Sequence, residues 1–441
     1  MKIKVQLAAP GFLLASLATA APTFNKDVAP VVYRRCVACH RPNDIAPMSL
    51  IDYKTARPWA KAIREAVISR KMPPWFADPH VGTFSNDARL TSGEIEIIKV
   101  WVDGGAIEGN PRDLPPAPVF IEGWRLGKPD IVVDIGEDFV VKPGGDTYEH
   151  FIVPSNLTEG MWIRAAEIRP GNRKVVHHVH VNLVADEKQS GPTSIESMTA
   201  LSRFLVRDGK LTRVRADAPV VDNACSADLP DLPYLTGFQE GALASFLPGR
   251  APDVFPEGSA KWIPPGSKLE FVVHYARNAK ETEIDRTSVG FYVVPGPPKQ
   301  VLRRMDLRNF FFRIPPGVPS HEVKRCYTFE RDKLLLSITP HMHYRAKNVT
   351  YELARPDGRR ETLLSVPSYK FEWQLVYRFE KPMYVEKGSL LTVTVHYDNS
   401  PNNPANPDPA QSIRWGDKSE EEMMTSWIEY VDAPPAQSAR K

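Results

Sequence analysis

Beyond its first twenty residues the chain has no apolar run approaching the roughly 20 residues that a membrane span needs, so no stable span is expected. It has no basic stripe and no aromatic platform, which leaves nucleic acid without a footprint. Net charge is only +3, and it falls to 3 − 2 = +1 if Lys2 and Lys4 are lost with a leader. Cysteine is scarce: there are four in 441 residues, and two share one C-x-x-C spacing. Only Cys225 and Cys326 are then left to form a disulfide, and sequence alone does not show that they come within reach. Proline is abundant instead. Its 42 residues are about twice the usual share, which disfavours long helices and favours a turn-rich β body.

The N-terminus has the form of a secretory signal over residues 1–20. Lys2 and Lys4 supply the positive start, residues 5–17 are mostly apolar, and Ala18-Thr19-Ala20 is a small-x-small cleavage site. The alternative is a membrane anchor, for which the apolar run is short. The expected location is periplasmic or secreted, where a Cys225–Cys326 bridge could persist.

Length allows two or three domains. Residues 22–108 carry apolar residues at three-to-four spacing in VAPVVYRRC, RPWAKAIREAVISRK and TSGEIEIIKVWVDGG, which predicts a small all-α unit. Thr91 with Glu94 forms a capping-box start, and Gly104-Gly105 a stop. Residues 109–122 are a proline-rich linker. From there on, β-branched and aromatic runs such as DIVVDI, KLEFVVHY, SVGFYVV, KLLLSIT and LLTVTVHY alternate with turn residues. That pattern predicts a mostly β protein with two sandwiches, 123–299 and 300–435. A faint internal echo supports the division. IPPG occurs at 263–266 and 314–317, and a histidine cluster precedes His-Tyr at both 274–275 and 396–397.

CVACH at 36–40 fits the C-x-x-C-H signal for covalent c-type haem. Cys36 and Cys39 would carry the thioethers, and His40 would bind iron from one side. A redox cysteine pair or a disulfide is the alternative, but that would want a βαβ setting. Met72, in RKMPPW after a predicted helix, is the candidate for the second iron ligand; Met48 and His80 are its rivals, and packing is its other possible role.

Of eleven histidines in all, five of the remaining ten fall in two tight groups on predicted strands. His341 and His343 form H-x-H. Strand side chains alternate faces, so these two share a face and can chelate one metal. In VVHHVHV the same rule pairs His178 with His180, whereas His177 with His178 requires a strand end or a bulge. His274, closing KLEFVVH, is a plausible distant third ligand.

Four motifs in order, VVHH at 175–178, VVHYA at 272–276, HMHYRAKNV at 341–349 and EEMMTSWIEY at 421–430, resemble the type II copper, ascorbate-dependent monooxygenases. That family includes the peptidylglycine α-hydroxylating and dopamine β-monooxygenases. The resemblance covers roughly residues 125–435 and implies two copper sites, His177, His178 and His274 at one and His341, His343 and Met423 at the other. It implies jelly-roll-like sandwiches, with the methionine-bearing site catalytic toward dioxygen and an organic C–H bond, and the all-histidine site supplying an electron. Imidazoles suit copper, and a thioether favours copper(I). The chain departs from the family in having few cysteines and in carrying Val272 where the animal enzymes have a glutamine. His180 and His396 are extra histidines that could replace a proposed ligand. The expectation is an exported haem–copper monooxygenase. Its electrons come from an external donor through the haem, and its substrate is not readable. A non-catalytic copper-binding electron carrier and a haem–copper reductase are the alternatives.

Overall fold

The computed structural model describes residues 21–42, 46–121, 123–144, 147–184, 205–207, 211–214, 217–225, 236–238, 241–247, 251–275, 281–416 and 418–434. The expected signal, residues 1–20, lies outside them. The protein is mostly β, with a small helical region at its N-terminal end.

The helices Ala29–Arg35, Tyr53–Ala56, Ala60–Ile68 and Ser92–Asp103 follow the three-to-four periodicity. Their apolar faces meet in one cluster around Phe24, Val32, Ile63, Ile98 and Trp101. Each fully buried side chain of this kind contributes about 1.5–3 kcal/mol. The capping box forms as the sequence requires: Thr91 accepts from the Glu94 amide and Glu94 from the Thr91 amide. The helix stops where Gly105 turns to φ 95°.

Two further apolar clusters are each walled by two sheets. Around the first, one sheet runs Ile131–Asp134, Ser288–Val294, Met161–Arg169, Ser259–Ile263, Gln300–Val301, and the other runs Ala242–Phe246, Val176–Val184, Lys268–Tyr275, Thr147–Pro154. Around the second, the orders are Tyr377–Val385, Lys333–His341, Thr425–Asp432, Arg303–Arg308, Thr236–Phe238 and Arg360–Val366, Ala346–Ala354, Leu390–Tyr397, His321–Thr328, Asn223–Ala224. Several runs read from sequence are strands to the residue, among them KLEFVVHY and LLTVTVHY.

The even division at residue 300 does not describe the pairing. Asn223–Ala224 and Thr236–Phe238 extend the edges of the second pair of sheets, and Val214 is buried in its core. The Cys225–Cys326 disulfide ties this excursion down, with Cα atoms 4.9 Å apart.

Two contacts position the sites described next. First, the strands Lys333–His341 and Thr425–Asp432 turn Leu334, Leu336 and Val431 outward onto the first core. Lys261 donates to Glu429 across the same seam at 3.1 Å. Second, residues 75–87 leave the helical unit and lie along Tyr377–Val385. Trp75 meets Tyr377 edge-on at 4.9 Å and Phe84 stacks on Phe379 at 5.7 Å. Backbone bonds from Ser85 to Arg378 and from Glu380 to Thr83 fix this arm.

Candidate metal centres

On Val176–Val184, Val179 and Val181 point into the core, so His178 and His180 occupy the outer face. The neighbouring strand sets His274 directly opposite His178. Between His274 and Tyr275 the register skips from His178 to Val176, which leaves His177 as the bulged residue. A bulge re-aims one side chain, and here it brings His177 to the same side as His178 and His274. The three Nδ1 atoms form a triangle with sides of 3.2, 3.3 and 3.2 Å. The corners of such a triangle lie about 1.9 Å from its centre. A triangle of this size would admit an ion about 2.0–2.1 Å from each nitrogen. Burial first, then the neighbouring histidines, hold the His178 pKa well below its ordinary value. A neutral ring is the ligating form. Among the described residues this is the one group of three histidine, cysteine or acidic side chains with metal-holding spacing. Tyr148, opposite His274 on the next strand, stacks on it at 4.3 Å and 2° and fixes the ring plane.

The face-alternation pairing of His178 with His180 is not the cluster that forms. The His180 ring is 5.6 Å from that of His178, but its Nδ1 meets the Ser245 hydroxyl at 3.1 Å.

His341 ends its strand and His343 follows, with Met342 buried between them, so the two rings share a face at 5.4 Å. Nδ1 of His341 donates to Gln374 Oε1 at 2.9 Å, and Nδ1 of His343 to the Glu421 carbonyl at 3.3 Å. Both acceptors lack protons, so each ring carries its hydrogen on Nδ1. Burial is the main cause that pushes His341 down to about 4 and His343 to about 3.

Glu422 brings the methionine segment to this pair. Its fully buried carboxylate accepts from the backbone amides of His343 at 2.8 Å, Arg345 at 2.6 Å and Met423 at 3.2 Å. The ladder ends with His341 opposite Thr425, two residues short of His343 and Met423, and Met423 is half-buried against the second core. Tyr397 fixes the Met423 carbonyl at 2.7 Å. Burial raises the Glu422 pKa to about 7, against the pull of the three amides. His396 lies on another sheet. It pairs with Asn348 at 2.9 Å and Glu322 at 3.5 Å, away from His341 and His343.

At the N-terminal unit Cys36 caps helix Ala29–Arg35, and the amides of Cys39 and His40 both return to the Cys36 carbonyl, at 3.1 and 2.9 Å. One turn thus carries both sulfurs and the ring, and neither cysteine is in a disulfide. Burial pushes the Cys36 thiol up to about 12, with the Cys39 charge adding to it. The His40 pKa is lowered, chiefly by burial, with the Met48 backbone opposing. Met72 is half-buried after helix Ala60–Ile68, in a small pocket with Val67, Leu90 and Ile95. Met48 packs on the helical core, and His80 is exposed on the arm with its amide bonded to Asp78.

Gln374, Glu422, Tyr148 and Ser245 were not foreseen as site residues. Only Glu422 had a signal, its place beside Met423; Tyr148 and Ser245 depend on strand register, and Gln374 on the path of the segment before Tyr377–Val385.

No family model matches the chain, and no curated protein matches it. Among solved structures, the major capsid protein P2 from Bacteriophage PM2 aligns at 10% identity over 68% of this chain and 99% of that one, with a TM-score of 0.23. A protein from Eubacterium rectale described as secreted aligns at 10% identity over 66% and 70%, with a TM-score of 0.19. Likenesses this slight carry no argument about the site.

Proposed function

We propose that this chain is an exported haem–copper oxidoreductase, a dioxygen-dependent monooxygenase that hydroxylates a C–H bond and resembles the type II copper, ascorbate-dependent monooxygenases. In this reading residues 22–108 are a cytochrome c-like unit, 109–122 a linker, and the rest two jelly-roll-like sandwiches. The secretory signal and the disulfide favour export, and no helix among the described residues is long and apolar enough to cross a membrane.

The observation that carries the reading is the His177–His178–His274 nitrogen triangle, with the separate His341–His343 pair on a facing sheet. The ligand sets differ in kind, and unlike ligands suit unlike jobs. Bound copper would supply one-electron chemistry toward dioxygen at the site with the soft Met423 sulfur. Around it the chain does the positioning. Gln374 and the Glu421 carbonyl fix which nitrogen of each histidine is offered. Glu422 fixes the two backbone segments against each other. Cys36, Cys39, His40 and Met72 would hold the haem, and the Trp75–Phe84 arm keeps that unit on the second pair of sheets.

The test is oxygen uptake and product analysis in reduced, copper-loaded protein against a panel of C–H substrates, with Met423→Ala beside the parent. Coupled uptake and hydroxylation that collapse in Met423→Ala are expected. A parent that never consumes oxygen moves the assignment to an electron carrier, and turnover only on another small oxidant moves it to a reductase.

A further inference from the structure

Trp427 touches rings belonging to both histidine groups. Its ring stacks on that of His341 at 5.0 Å and 26°, and meets that of His180 at 5.5 Å and 56°. His180 in turn lies 5.6 Å from His178, a member of the nitrogen triangle. The placement follows from alternation on two facing sheets. Ile428 and Tyr430 enter the second core, so Trp427 and Glu429 point toward the first pair of sheets, where His180 and Ser245 meet them around a small cavity. Three constraints hold the rings in line. Ser245 fixes the His180 ring at 3.1 Å, the Arg304 guanidinium covers Trp427 at 5.3 Å, and Gln374 fixes His341 at 2.9 Å. The Trp427 Nε1 is buried without a hydrogen-bond partner among the described residues.

We infer that His180 and Trp427 form an aromatic bridge carrying single electrons between the two metal centres. This inference rests on the two-copper reading above. One electron leaves copper(I) at His177–His178–His274, which becomes copper(II), and reduces copper(II) at His341–His343–Met423 to copper(I). The bridge undergoes no net change, and no proton is required. His180 is thereby a positioning and conducting residue and not a ligand, which gives the third histidine of VVHHVHV a role.

The experiment uses the full chain loaded with copper. Copper is first counted per chain, and circular dichroism checks the fold. A pulse of reductant below one electron per chain is then followed by freeze-quench electron paramagnetic resonance, which distinguishes a three-nitrogen copper(II) from one with sulfur. In the parent the electron should redistribute between the signals at a rate independent of protein concentration. Trp427→Leu and His180→Gln should keep two coppers and slow that redistribution by an order of magnitude. Trp427→Phe, which keeps a ring and the packing, should lose less. Variants that redistribute at the parent's rate overturn the bridge alone. A parent that binds fewer than two coppers overturns the bridge together with the two-copper reading.

Discussion

At the scale of single residues, ligand type was legible and ligand grouping only in part. His341 and His343 follow from alternation alone, because Met342 between them is committed to the core. The same rule applied to VVHHVHV favours His178 with His180, and the structure joins His177 to His178 through a register skip. A bulge depends on how the neighbouring strand pairs, and one strand's sequence does not state it. Glu422 carries the sharpest expectation here. Its folded pKa of about 7 lies above the ordinary value of 4.5, so the folded state holds the proton more tightly. Its contribution to stability is therefore fully present below pH 4.5 and declines as pH rises through 7. Glu422→Gln does not titrate. In metal-free protein the parent should lose stability relative to that variant over this window, by up to about 1.4 kcal/mol per pH unit. Denaturant unfolding at several pH values measures the difference. A difference that stays flat contradicts the buried carboxylate described here.

At the scale of elements, the internal echo has a structural meaning narrower than a duplicated metal site. Both IPPG segments close a strand and turn on a glycine of positive φ, 67° at Gly266 and 69° at Gly317. Both His-Tyr pairs close a strand and bury the tyrosine. The echo breaks at the histidines. His274 lies beside the His177–His178 strand in one sheet, whereas His396 and His341 belong to different sheets. The strands themselves were readable because alternation and turn residues are local. Asn223–Ala224 and Thr236–Phe238 were not, since their partners lie far along the chain. The docked arm was equally hidden, because RKMPPW says nothing of where its tryptophan goes. Trp75 is 6% exposed between Phe84 and Tyr377. Trp75→Ala should cost about 3–5 kcal/mol locally and open residues 73–87 to proteolysis while the sheets persist. Limited proteolysis with fragment mapping reads this out; a cleavage rate equal to the parent's would show that the arm is not held by its aromatic contacts.

At the scale of the whole molecule, a helical unit and two pairs of sheets carry the three proposed ligand sets. The arm ties the helical unit to the second pair of sheets, and Trp427 lies in the seam between the pairs. The claim on which this account stands is that there are two copper centres with different ligands. It is tested most directly by counting copper per chain in the parent, His274→Ala and Met423→Ala after loading and extensive dialysis. The account predicts two coppers in the parent, one in His274→Ala, and in Met423→Ala a second copper whose cuprous form is released first to a chelator. A parent that retains no more than one copper, or a His274→Ala protein that still retains two, contradicts it.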